Sequence, residues 1–260
     1  MRAPGRALIA ADYDGTLAPI VADPAQARPH PGAVPALRAL ASRAGTVAVI
    51  TGRPALAAVE LGGLRGVPGL IVLGHYGRER WESGTLTAPP VPPGVAAARE
   101  QLPGVLAAAG APEGTWTEDK ADALAVHTRR TAEPGPALDR LRGPLSALAE
   151  RTGLAVEPGR MVIELRPPGS DKGQTLVNLV NERTASCLMY CGDDLGDVPA
   201  FQAVARLRRG GIAGLAVCSS SAEVTALVEL ADLVVDGPDG MVRLLGALAA
   251  AMKGEGEAGG

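Results

Sequence analysis

Aromatic side chains are nearly missing from this chain, which has one Phe, two Trp and three Tyr in 260 residues. Nucleic-acid bases are held on aromatic platforms and their phosphates in a basic field, and a formal net charge of −3 supplies no such field, which weighs against a nucleic-acid partner. Cysteine is scarce as well. Cys187, Cys191 and Cys218 fall in apolar segments with no metal-type spacing and no partner histidines, so small buried hydrophobes are expected rather than a zinc or disulfide framework. No apolar run approaches membrane-spanning length, and the run that follows Arg2 and Arg6 is stopped by Asp12 before it reaches the length of a signal sequence. A cytoplasmic protein without a membrane partner is expected. Lysine is the scarcest charged type, three of the 25 basic residues. What remains is a hydrophobic share of 47%, rich in alanine, enough for one large or two modest domains with Leu, Val, Ile and Ala in their cores.

The stretch at residues 7–17, ALIAADYDGTL, stands out. An apolar run of strand length delivers Asp12 and Asp14, two residues apart, and Gly15 and Thr16 then turn the chain out of the strand. Acids at a strand's carboxyl end are where open parallel α/β sheets bind ligands. One carboxylate could attack phosphorus while the other protonates the departing oxygen and later activates water. A hard divalent ion such as Mg²⁺ would relieve the repulsion between them. A solvated acidic loop is the competing reading of this motif taken alone.

Further along, residues 30–44 predict a helix and 47–50 a second strand that runs into Thr51-Gly52-Arg53-Pro54, placing the Thr51 hydroxyl at another strand end. Residues 69–73 predict a third strand. From position 88 the texture changes to APPVPPG, a linker. Helix (95–109), hairpin (115–118 with 123–129), helix (136–151) and hairpin (154–157 with 160–166) then describe a small α+β unit. After Pro167 and Pro168, Ser170 or Asp171 caps a helix carrying Lys172 in its first turn, and an apolar strand at 187–191 leads to Gly192-Asp193-Asp194-Leu195-Gly196-Asp197. Later strands at 214–218 and 233–235 and a closing helix at 241–252 complete the pattern. The expected fold class is α/β, a doubly wound, Rossmann-like parallel sheet with an inserted smaller α+β cap domain. Residues 1–90 and 167–252 form its core, 91–166 the cap, and 253–260 a disordered tail.

Three strand ends carrying paired acids, a threonine and paired acids again, with a lysine at a helix start, meet the needs of phosphoryl transfer: nucleophile, phosphate ligands, charge compensation and a metal seat. In this order, as DYDGTL, Thr51 of VITGRP, Lys172 of DKG and GDDLGD, the motifs resemble those of haloacid dehalogenase (HAD) superfamily phosphatases. Within that superfamily, TEDK, ALAVHTR and VEPGRMVIELRPPGSDKG most resemble the trehalose-6-phosphate phosphatase family. The resemblance implies Asp12 as nucleophile, Asp14 as general acid/base, and Mg²⁺ held by Asp12, the backbone carbonyl of Asp14 and Asp193. It implies Thr51 and Lys172 on the phosphate, Asp194 and Asp197 supporting the metal site from behind, and Glu118, Lys120 and Glu157 on sugar hydroxyls, with His127, Arg160 and Arg166 as weaker candidates. The family's usual Thr-Asp-Glu is replaced here by Gly196-Asp197-Val198, and its Gly-x-His-Gly turn by Gly74-His75-Tyr76-Gly77. The implied activity is Mg²⁺-dependent hydrolysis of trehalose 6-phosphate. Another sugar phosphate or phosphorylated glycoside is the first alternative, and a catalytically silent sugar-phosphate-binding partner of a trehalose-phosphate synthase the second. A monomer that takes a small sugar phosphate and closes its cap over the site is expected.

Overall fold

A computed structural model describes residues 4–257 apart from positions 22, 160, 170 and 221–226. The chain divides into two compact units, Met1–Ala88 with Asp171–Gly260, and Pro89–Ser170. In the first, strands β1 (Ala7–Ala11), β2 (Thr46–Ile50) and β3 (Ile71–Gly74) come before the inserted unit, and β10 (Cys187–Gly192), β11 (Ala213–Ser220) and β12 (Leu233–Asp236) after it. Together with the hairpin β4 (Glu79–Glu82) and β5 (Thr85–Thr87), they form one sheet in the order β12-β11-β10-β1-β2-β3-β4-β5. All pairings from β12 to β3 are parallel, and β4 and β5 close the far edge antiparallel.

β1 lies at the centre, between β10 and β2, and is buried on both faces. Its alternation divides the core in two. Ala7, Ile9 and Ala11 join the cluster lined by α1 (Ala33–Ala41), α2 (Ala55–Gly62) and α7 (Gly237–Glu257), and Leu8 and Ala10 join that of α5 (Lys172–Glu182) and α6 (Val198–Arg209). Ala33, Ala36, Leu37 and Leu40 give α1 its buried stripe at helical spacing. Because the chain leaves β1 toward β2 on one side and later returns through β10 on the other, the sheet order reverses beside β1, and the crevice outside the strand ends opens there.

The β4–β5 hairpin was not among the expected elements. Ser83 and Gly84, with φ of 52° and 84°, form its two-residue turn, the left-handed pair that suits a tight hairpin. The closing helix runs to Glu257, beyond position 252, and the last three residues lie outside those described. Asp171 caps α5 by accepting the Gln174 N–H at 2.8 Å, whereas Ser170, the other cap considered, lies outside the described residues.

The second unit holds α3 (Pro93–Ala108), α4 (Pro134–Thr152) and an antiparallel sheet in the order β6-β7-β9-β8, made of β6 (Trp116–Asp119), β7 (Leu124–His127), β8 (Ala155–Gly159) and β9 (Val162–Arg166). Leu124, Val126, Ile163 and Leu165 pack with Val95, Leu102, Leu141, Leu145 and Leu148 of the two helices. Strand alternation sends the neighbours of those sheet residues to the opposite, helix-free face. Among the described residues of both units, no helix is long and apolar enough to cross a membrane.

Candidate active site

Parallel pairing brings the loops after β1 and β10 side by side, with the Asp12 N–H donating to the Cys191 carbonyl at 2.8 Å. Asp12 and Asp193 therefore emerge from adjacent strand ends, and both are buried. Carboxylate oxygens of Asp12, Asp193 and Asp197 lie within 4.8 Å of one another. Gly15, at φ 75°, makes this approach possible: a Cβ there would fall 1.9 Å from Oδ2 of Asp193. The Thr16 hydroxyl donates to Asp193 Oδ1 at 3.3 Å, and Ser219 on β11 fixes the same loop by donating to the Gly15 carbonyl at 2.7 Å.

Lys172, in the first turn of α5, is buried and places Nζ 2.9 Å from Asp12 Oδ1 and 2.8 Å from Asp197 Oδ1. Burial lowers its pKa, but the Asp12 and Asp197 carboxylates outweigh that effect and raise it well above the usual range, which favours the ammonium. Asp197 accepts from four donors: Lys172 Nζ and the Tyr190 hydroxyl (2.6 Å) on Oδ1, and the backbone N–H groups of Asp193 (3.0 Å) and Asp194 (3.3 Å) on Oδ2. Its oxygens are thus committed, and it braces the loop and the lysine.

Asp12 and Asp197 share the one ammonium, and Asp193 makes no ion pair among the described residues. Burial, above all, raises the pKa values of Asp12 and Asp193, that of Asp193 to about 10, with Asp12 and Asp197 adding repulsion at Asp193 and Lys172 opposing the shift at Asp12 and Asp193. Three buried acids beside a single ammonium suit a hard divalent cation, which takes oxygen ligands and supplies positive charge. The donor set fits such an ion.

The remaining expected residues of this unit lie around the cluster. Asp194 is exposed and accepts the Gly196 N–H at 2.9 Å, closing a capping box with Asp197. Thr51 is buried at the end of β2, its Oγ1 accepting the Arg53 N–H at 3.1 Å. Asp14 is held by Arg53, a residue to which the sequence reading assigned no role.

In the second unit, the helix-free sheet face carries the expected sugar ligands. Strand register aligns Glu118, Ala125, Glu164 and Glu157 in one row across four strands, a width of about 14 Å at about 4.8 Å per strand. Each carboxylate has a cationic or imidazole partner: His127 Nε2 is 3.0 Å from Glu118, Lys120 Nζ 2.5 Å from Glu164, and Arg166 Nη2 2.6 Å from Glu157. His127, whose face alternation left open, shares this side with Ala125 and stacks on Trp116 at a centroid distance of 3.9 Å. Glu164 was not singled out from the sequence. It is buried, and its Oε1 has no partner among the described residues. Its register opposite Ala125 and Glu157 was the sign that could have found it. Arg160 lies outside the described residues.

Known proteins resemble this chain over most of its length. The profile of the family described as Trehalose-phosphatase matches residues 10–233. Over 220 residues the chain is 34% identical to a trehalose-phosphate phosphatase of Mycobacterium leprae (strain TN), covering 77% of this chain and 48% of that protein. It is 36% identical over 217 residues to the one from Mycobacterium avium (strain 104), covering 77% and 51%. The chain spans about half the length of these curated relatives. Among solved structures, the C-terminal domain of C. albicans trehalose-6-phosphate phosphatase superposes with a TM-score of 0.78 at 22% identity, covering 96% of this chain and 93% of that one. A haloacid dehalogenase-like hydrolase from Bacteroides thetaiotaomicron superposes at 0.60 and 16% identity, covering 93% and 98%, so the fold is HAD-like. With the family profile spanning both acid motifs, Thr51, Lys172 and all of the second unit, this chain belongs to the trehalose-phosphatase family.

Proposed function

We propose that the chain is a phosphatase that hydrolyses trehalose 6-phosphate to trehalose and phosphate through an aspartyl-phosphate on Asp12. The observation that carries this reading is the buried Asp12 carboxylate, held 2.9 Å from the only cation that reaches it among the described residues and set beside the buried acid Asp193. Oxygen of Asp12 attacks phosphorus, the bond from phosphorus to the sugar oxygen breaks, and Asp14 gives that oxygen its proton. Asp14 then takes a proton from water, whose oxygen attacks the same phosphorus and returns Asp12 as a carboxylate. Lys172 and Thr51 hold the phosphoryl oxygens, and Asp197 keeps Lys172 aimed.

Asp12, Asp193 and the backbone carbonyl of Asp14 would hold Mg²⁺, with Asp194 and Asp197 supporting them. When bound, the ion would neutralise the acids and polarise the phosphoryl group. On the second unit, Glu118, Lys120 and Glu157, with Glu164, offer charged hydrogen-bond partners to neutral hydroxyls, a chemistry that rejects analogues lacking them. Free thiols at Cys187, Cys191 and Cys218 agree with a reducing compartment such as the cytoplasm.

Phosphate release from trehalose 6-phosphate, glucose 6-phosphate and p-nitrophenyl phosphate, each with Mg²⁺ and with chelator, tests the reading. Trehalose 6-phosphate is expected to be turned over fastest, and only with metal. Asp12→Asn should remain folded and lose about 10⁴-fold or more, as removal of a nucleophile does. Equal rates on the two sugar phosphates would overturn the substrate, and robust activity of Asp12→Asn the nucleophile.

A further inference from the structure

One ion pair in the first unit joins the loops after β1 and β2. Arg53 donates from Nε to Asp14 Oδ2 at 2.6 Å and from Nη2 to Asp14 Oδ1 at 2.7 Å, so the guanidinium fork spans both carboxylate oxygens. The Arg53 side chain is 13% exposed and that of Asp14 39%. Without the fork, a partly exposed aspartate on a turn would be free to rotate. With it, the carboxylate has one plane and one direction, and each oxygen keeps a second lone pair for a proton.

The arginine is itself fixed on several sides. Its guanidinium carbon lies 5.3 Å from the centroid of the Tyr13 ring, which is buried and anchored by its hydroxyl to the Ala27 carbonyl at 3.0 Å. Its backbone N–H donates to Thr51 Oγ1, and its carbonyl accepts the His75 N–H at 2.9 Å. The next N–H, of Tyr76, donates to the Thr51 carbonyl at 3.0 Å. This double donation comes from a turn in which His75, Tyr76 and Gly77 are successively left-handed, with φ of 47°, 58° and 102°. Left-handed backbone is unfavourable for the two non-glycine residues, and such strain persists only where surrounding contacts over-determine it. Here Thr175 Oγ1 donates to the Tyr76 carbonyl at 2.5 Å, and a Cβ on Gly52 would stand 2.8 Å from the Tyr76 hydroxyl oxygen, so the turn and the Thr51–Arg53 loop interlock.

We propose that Arg53 is a positioning residue for proton transfer: fixed by the strained turn after β3, it orients the Asp14 carboxyl toward the leaving oxygen and then toward water. The inference rests on the reading of Asp14 as the acid/base. Arg53 forms and breaks no covalent bond. The proton passes from the Asp14 carboxyl to the sugar oxygen as the bond from phosphorus to oxygen breaks, and Asp14 regains one from water in the second step. Proton transfer by a placed side chain contributes about 10²–10⁴-fold, and loss of placement forfeits part of that.

A double-mutant cycle with a leaving-group comparison tests it. Arg53→Gln should lower turnover of trehalose 6-phosphate about 100-fold, Asp14→Asn at least as much, and the double variant no more than Asp14→Asn alone, because both remove the same act. With p-nitrophenyl phosphate, whose phenolate leaves without a proton, the pre-steady-state burst of nitrophenolate from Arg53→Gln should fall about threefold or less. A burst loss as large as the loss on the sugar phosphate, or multiplying losses in the double variant, would show a merely structural arginine and overturn the proposal. Wild-type protein that releases no phosphate from trehalose 6-phosphate would instead refute the function itself, so the two failures are distinguishable.

Discussion

The two polar regions of this molecule balance their charges in opposite ways. In the first unit, among the described residues, Asp12, Asp193 and Asp197 are buried around one cation, Lys172, which pairs with two of them. On the sheet face of the second unit, Glu118, Glu157 and Glu164 each have a partner of their own in His127, Arg166 and Lys120. A deficit of positive charge among buried acids creates demand for a cation, which the proposed chemistry at phosphorus would use. One-to-one pairing creates no such demand, and orients donors and acceptors that the proposed sugar substrate would meet.

The harshest way to break this contrast is to remove the lysine. Lys172→Met leaves buried acids with no compensating group, and denaturant unfolding in chelator should show a loss of about 3–5 kcal/mol, partly recovered on adding Mg²⁺. An unchanged midpoint would mean that the acids do not depend on the ammonium.

pH sharpens the same side of the comparison. Asp193, at about 10 in the metal-free fold against about 4 in the unfolded chain, keeps a proton that unfolding releases. Its contribution to stability is therefore full below about pH 4 and is lost as pH rises toward 10, at up to about 1.4 kcal/mol per pH unit. A bound cation replaces that proton, so Mg²⁺ affinity should rise up to about tenfold per unit between pH 6 and 8, with proton release measurable by calorimetry in buffers of different ionisation enthalpy. Flat affinity across that range would contradict the charge deficit.

The smallest effects are expected in the second unit. Glu118→Gln and Glu157→Gln should raise KM for trehalose 6-phosphate about tenfold, as loss of a charged hydrogen bond does, and change unfolding free energy by less than about 1 kcal/mol. A large stability loss with unchanged KM would make these pairs struts of the fold instead of ligands.

The parallel strands were legible because residues such as Ala7–Ala11 and Thr46–Ile50 are short apolar runs ending at turn residues, the pattern of strands buried on both faces. The β4–β5 hairpin was not. Three of the four residues in Glu79–Glu82 are charged, and what holds that strand is its pairing to β3 and the burial of Trp81, both tertiary. Within the site, Asp12 and Asp193 announced themselves as paired acids at strand ends. Arg53 did not, because its partner lies 39 residues away and only the adjacency of β1 and β2 brings them together. Glu164 read as one polar residue in an alternating strand, and its value came from a register that alternation alone does not fix.

The central place of β1 reaches further than the geometry of Asp12. A strand laddered to neighbours on both edges and covered on both faces belongs to the portion of a protein whose amides exchange with solvent only when the whole structure opens. The proposed nucleophile thereby follows directly on a segment expected to be among the last to open.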